Sequence, residues 1–139
     1  GVEQFMEQVL LDCRQRGSVN TILGRRRPVE GVRDPRVQKN KRQRTLPERI
    51  AINTVIQGSA ADIIKQAMLN VYRRLKREGL QSRLLLQIHD ELVFEFPPAE
   101  QERLAKLVME EMSAAAQLSV PLKVDVKTGP NWAGCEALD

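Results

Sequence analysis

The sequence predicts an α+β fold: a small antiparallel sheet with long packed helices, in the order α-β-β-α-β-β-α-β. Two observations carry this. Apolar residues recur at helical spacing in three segments, and short Val-, Leu- and Ile-bearing runs bounded by turn residues lie between and after them.

The first helix is read from Val2 to about Arg16, because Val2, Phe5, Met6, Val9, Leu10 and Cys13 recur at threes and fours and Gly17 stops the pattern. "SVNTILGRRRPVEGV" then reads as two short strands joined by a turn at Gly24. Residues 30 to 46 have no apolar period and are crowded with Arg, Lys, Gln and Asn, which makes them a loop. The longest periodic segment opens at Thr45 with Glu48 three positions on, a capping box, and Pro47 is tolerated in its first turn. Gly79 is its expected stop. Gly58 in its interior costs about 1 kcal/mol relative to alanine, so another backbone or a ligand is expected to come close there.

Leu84–Ile88 and Leu92–Phe96 read as paired strands whose turn emerges from a core. Pro97 and Pro98 end the second and start a helix through about Gln117, with Leu104, Val108, Met112 and Ala115 on one face. In the closing "PLKVDVKTG", Leu122, Val124 and Val126 face one way and Lys123, Asp125 and Lys127 the other, the pattern of a strand.

The length suits one domain or part of a larger one. No apolar run is long enough to span a membrane, nothing at the start resembles a signal peptide, and Cys13 and Cys135 form no metal-binding or disulfide pattern, so a cytoplasmic setting is expected. The net charge of +4 is unevenly distributed. Residues 25 to 49 hold ten basic against three acidic residues, and the remainder twelve against fifteen. Local basicity of this kind points to a polyanion-binding surface.

Two constellations carry chemistry. In "LLLQIHDELVFEF" the turn falls on His89, Asp90 and Glu91, where an ordinary two-residue hairpin prefers Asn-Gly or Asp-Gly. Asp90 and Glu91 offer the oxygen donors that Mg²⁺ prefers, and a solvated turn remains the alternative on residue types alone. His89 is the only histidine, which excludes a His-cluster hydrolase or multi-histidine metal site within the chain and leaves a serine or cysteine nucleophile triad without support. The second constellation is Arg49, Asn53 and Gln57, four apart on the long helix and so on one side of it. Such donors can test minor-groove acceptors common to every base pair, while Arg25, Arg26 and Arg27 hold phosphates. Cross-linking of buried backbone by Asn and Gln is the competing structural reading.

These stretches resemble family A DNA polymerases, the bacterial DNA polymerase I group. "QIHDELVFE" is similar to the last polymerase motif, "ERIAINTVIQGSAADIIKQAM" to the long palm helix, "GSVNTILGRRRPV" to the hairpin before it and "VKTGPNW" to the closing strand and tail. The resemblance implies template-directed DNA synthesis from dNTPs on primer-template DNA, in replication or repair, with two Mg²⁺ ions. It implies that Asp90 binds metal, Glu91 is an accessory carboxylate, His89 contacts the primer terminus, and Arg49, Asn53 and Gln57 touch template, primer and minor groove. Residues 1–45 are then the end of the fingers region with its basic hairpin and loop, and 46–139 the C-terminal part of the palm.

The upstream aspartate motif and the triphosphate-binding fingers helix have no counterpart in the sequence. The chain is therefore expected to be a C-terminal polymerase fragment, inactive alone, whose partners include the thumb, fingers and upstream palm as well as DNA and dNTP, and no membrane. A bacterial, nucleoid-associated location is implied. A non-catalytic DNA-binding module and a single-subunit RNA polymerase fragment are the alternatives.

Overall fold

The computed structural model describes residues 1–35 and 44–138; much of the expected loop at 30–46 therefore lies outside the described residues. The fold is α+β, with three α-helices and small antiparallel ladders among the described residues, and the chain divides into two compact units, Gly1–Asp62 and Ile63–Asp139.

In the first unit α1 (Val2–Arg16) turns its Leu10 and Cys13 inward and ends at Gly17, whose left-handed φ of 69° suits a residue without a Cβ. The chain then forms β1 (Ser18–Asn20) and β2 (Arg26–Pro28), antiparallel with Val19 opposite Arg27. Leu10, Cys13, Val19, Val29, Val32, Ala51 and Ile52 form the core, the last two from the start of α2 (Leu46–Glu78). The Glu48 carboxylate accepts the Thr45 backbone N–H at 2.8 Å, the Thr45 hydroxyl at 3.0 Å and Arg14 Nη2 at 2.5 Å. Burial alone would raise the Glu48 pKa, but these bonds outweigh it and hold the carboxyl below its ordinary value. The expected capping box is thus half formed, with Thr45 turned onto the carboxylate.

The second unit holds the rest of α2, which ends at Gly79, then β3 (Arg83–Ile88), β4 (Glu91–Glu95), a single 3-10 turn and α3 (Gln101–Ser113). Val71, Leu75, Leu104, Leu107 and Val108 are its core, with Leu80, Phe94, Phe96 and Met112 packed against them. Arg74 ties the two helices by pairing with Glu78 at 2.8 Å, Glu110 at 2.6 Å and Glu111 at 3.2 Å. β3 pairs with β4 through Leu84–Phe94 and Leu86–Val93, leaving Leu85 as a bulge. Glu100 anchors the entry to β3, accepting the backbone N–H groups of Gln81 and Ser82 at 2.9 Å each and the Ser82 hydroxyl at 2.5 Å.

Several expectations are corrected. Among the described residues, three separate two-stranded ladders stand where one sheet was expected. Leu122–Val126 is not a strand; only β5 (Lys127–Thr128) pairs, with β6 (Glu136–Ala137). Alternation is a property of side chains, whereas a strand needs a ladder of hydrogen bonds, and among the described residues Leu122–Val126 reaches its neighbour only at its end, where the Val126 carbonyl accepts the Leu138 N–H at 3.0 Å beside the β5–β6 ladder. The last helix ends at Ser113 instead of near Gln117, where Ala115 bonds back to Met112 and buries its methyl. The β3–β4 hairpin emerges from a core only in part: Phe94 packs against the second unit's core, but none of the hairpin's residues is fully buried, and Leu85 and Leu86 are half exposed.

Bonds from the Gln81 and Ser82 backbone and the Ser82 hydroxyl lower the Glu100 pKa. Unfolding therefore raises that carboxyl's proton affinity, so its stabilising contribution is full above its unfolded pKa of about 4.3 and is lost as pH falls through the lower folded value. Glu100→Gln is expected to lower the urea midpoint at pH 7. The gap to the wild type should close as unfolding is repeated at successively lower pH below 4; a gap independent of pH would contradict the role given to the charge.

Candidate functional site

α2 presents two adjacent rows in the first unit, each at four-residue spacing. Arg49, Asn53 and Gln57 form an exposed row, and Ile50, Thr54, Gly58 and Asp62 form its neighbour. The β1–β2 hairpin lies on the second row. Arg27 Nη1 donates to the Thr54 hydroxyl at 3.2 Å, Arg25 Nη2 to the Gly58 carbonyl at 3.2 Å, and Arg25 Nε to Asp62 Oδ1 at 2.8 Å. The Thr21 hydroxyl donates to Asp62 Oδ2 at 2.6 Å and accepts the Arg25 backbone N–H at 3.0 Å.

Gly58 makes this approach possible. A Cβ there would lie 3.0 Å from Thr21 Cγ2 and 3.4 Å from Arg25 Nη2. The approach expected at Gly58 is thus made by side chains of this hairpin where a backbone or a ligand was expected to come close.

Between hairpin and helix lies an open concavity of about 360 Å³, lined by Arg25, Arg27, Ile50, Asn53, Thr54, Gln57 and Gly58. Four residues singled out by sequence thus meet in one place: two guanidiniums on one wall and two side-chain amides on the other. Arg49 continues the exposed amide row without lining the concavity. Arg26 turns away from it and donates from Nε to the Ser18 hydroxyl at 3.0 Å. Sequence reasoning missed Asp62 and Thr54. A signal was present for Asp62, since a carboxylate inside the apolar run "SAADII", four residues after a helical glycine, needs a partner close by.

In the second unit the β3–β4 turn is a two-residue loop, His89–Asp90, closed by the pair Ile88–Glu91. Glu91 is accordingly the first residue of β4 instead of part of the turn. His89 has a φ of 54°, the only positive φ at a non-glycine among the described residues. Turns that match the twist of a hairpin need a positive φ at their first position, and histidine tolerates it better than most side chains. Gln87 Nε2 donates to the His89 carbonyl at 2.6 Å and steadies the loop. His89, Asp90 and Glu91 are all exposed, so both carboxylates are open to a cation.

Exposed carboxylate oxygens suit a hard cation such as Mg²⁺. Among the described residues, however, no group of three or more His, Cys, Asp or Glu side chains could hold a metal ion. The tip is chemically suited to contribute ligands and does not complete a metal site by itself. No helix among the described residues is long and apolar enough to cross a membrane.

A family model described as DNA polymerase family A matches residues 1–134. The chain is 50% identical over 132 residues to DNA polymerase I of Bacillus caldotenax, covering 95% of this chain and 15% of that protein. To DNA polymerase I of Mycobacterium tuberculosis it is 46% identical over 133 residues, covering 95% of this chain and 14% of the relative. The chain thus spans about 15% of the length of the curated relatives it matches. A solved structure titled "POL domain of Pol1 from M. smegmatis complex with DNA primer-template and dNTP" matches with a TM-score of 0.77 and 47% identity, covering 88% of this chain and 21% of that one.

The strained tip is open to a direct check. A β-branched residue at the His89 position pays about 1–3 kcal/mol for its left-handed backbone, which glycine does not. His89→Val is expected to lower unfolding stability by that order while His89→Gly stays close to the wild type, as read by urea denaturation. Equal stability of all three would remove the claim of strain.

Proposed function

The chain belongs to DNA polymerase family A, and we propose that it forms part of the polymerase domain of a DNA-directed DNA polymerase that extends a primer on a template strand. The observation that carries this reading is the concavity in which Asn53 and Gln57 stand opposite Arg25 and Arg27. Amide donors reach the purine N3 and pyrimidine O2 acceptors that every base pair shows in the minor groove, which checks pair shape without reading sequence. Arg25, Arg27 and, further along α2, Arg49 supply positive charge for phosphates, and Arg26 adds to the basic field from the other side of the strand. Residues 1–45 belong on this reading to the end of the fingers and 46–139 to the palm.

At the other constellation, Asp90 supplies one carboxylate for Mg²⁺, Glu91 an accessory one, and His89 a contact to the primer end. Two such ions held there would supply activation of the primer 3′-hydroxyl for attack on the dNTP α-phosphate and stabilisation of the leaving pyrophosphate oxygen. The remaining metal ligands and the triphosphate-binding groups come from the rest of the polymerase domain, so the isolated chain binds duplex without extending it. The work proposed for the chain's own residues is to hold the duplex and to keep the Asp90 carboxylate at the end of a tight, bonded loop. Replication or repair of cytoplasmic, nucleoid DNA is the corresponding setting. The matches to DNA polymerases favour this reading over a single-subunit RNA polymerase.

In the full-length protein, Asp90→Ala is expected to cut nucleotide incorporation by roughly 10³-fold or more, since metal stabilisation of the transition state is worth several kcal/mol. Its affinity for primer-template should change little. Asn53→Ala with Gln57→Ala should instead weaken primer-template binding by roughly tenfold, at about 1 kcal/mol or slightly less for each lost hydrogen bond. Primer extension and duplex titration distinguish the two. Undiminished incorporation by the Asp90 variant would defeat the metal role.

A further inference from the structure

We propose that Asp62 is a positioning residue for nucleic-acid binding: it fixes the Arg25 guanidinium at the wall of the α2 concavity, where Arg25 engages one phosphate of the bound duplex. The proposal rests on the DNA-binding reading of that concavity and adds a residue whose charge has the wrong sign for direct contact.

The geometry is specific. Asp62 is 10% exposed at its side chain, while its partner Arg25 is 51% exposed. Oδ1 of the carboxylate accepts Arg25 Nε and Oδ2 accepts the Thr21 hydroxyl, and that same hydroxyl accepts the Arg25 backbone N–H. Both ends of Arg25 are therefore held through one carboxylate, directly at the guanidinium and through Thr21 at the main chain. The Gly58 carbonyl takes one further N–H at Nη2. The remaining N–H groups of the guanidinium have no partner among the described residues, and Arg25 lines the concavity beside Gln57. An arginine presents five N–H donors in a rigid fork, so one edge can be bound to protein while another meets a phosphate.

Charge counting and positioning predict opposite signs. Arg25 and Asp62 together are neutral, so removing the carboxylate should strengthen duplex binding if only charge matters. If Asp62 holds the guanidinium in place, its loss frees a long side chain whose ordering costs about as much as one phosphate contact returns, so the contact is lost, at a penalty of up to roughly tenfold in affinity.

The test uses the full-length protein and a DNA primer-template duplex titrated over a range of salt concentrations. Arg25→Gln should flatten the dependence of log affinity on log salt by about 0.9, the value of one phosphate contact. Asp62→Asn should weaken binding several-fold and flatten the slope by the same amount, and Thr21→Val, which changes no charge, should act in the same direction. In an Arg25→Gln background, Asp62→Asn should have no further effect on affinity, because the group it positions is gone. Tighter binding by Asp62→Asn, an unchanged slope, or further weakening in the Arg25→Gln background would overturn the proposal. Wild-type binding that ignores both salt and the Asn53→Ala, Gln57→Ala pair would instead sink the DNA-binding reading on which it rests.

Discussion

The seating of the β1–β2 hairpin on α2 is the constraint from which the first unit's surface follows. It needs a helix surface without a Cβ at one point and a hydrogen-bond acceptor one turn further on, and Gly58 and Asp62 supply these. Thr21 then serves twice, as donor to the carboxylate and acceptor for the Arg25 main chain. In energy the ion pair is modest, because Arg25 is half exposed and such pairs contribute at most about 1 kcal/mol. Its value lies in geometry: one short hairpin is held so that two guanidiniums face two amides across an open concavity.

The second unit solves a different problem, that of holding a polar tip on a hairpin with little core beneath it. Phe94 is packed against the α2–α3 core, whereas Leu85 and Leu86 stay half exposed. Rigidity therefore comes from local hydrogen bonding more than from burial. Glu100 pins the entry to β3, and Gln87 clasps the far end at the His89 carbonyl. The positive φ at His89 is the cost of closing a two-residue turn without glycine or asparagine.

The helices were legible because their signals are local. Gly17 and Gly79 end α1 and α2 where the sequence predicts, since a left-handed cap depends on one residue and its near neighbours. The Arg49, Asn53 and Gln57 row was equally legible, as helical spacing alone sets it. What the sequence did not reveal was pairing across distance. Nothing in "SAADII" says that Asp62 meets Arg25, thirty-seven positions away, nor that Arg26 would part from its neighbours toward Ser18. The Leu122–Val126 run misled for a related reason, because its alternation describes two faces and is silent about which ladder they join.

The bulge at Leu85 acts as a phase shift in the side-chain alternation. Ladder partners share a face, so Leu84 lies with Phe94, on the core-packing side, while Leu86 and Ile88 lie with Val93 and Glu91 on the other. Without the extra residue, Leu84 would share the face of Leu86 and Ile88. The two ends of β3 are thereby decoupled in parity: the end near Glu100 keeps step with the core, and the end at His89 keeps step with the turn. A one-residue deletion in this strand is therefore a change of aim, which turns either the anchor or the carboxylate tip to the opposite side of the hairpin.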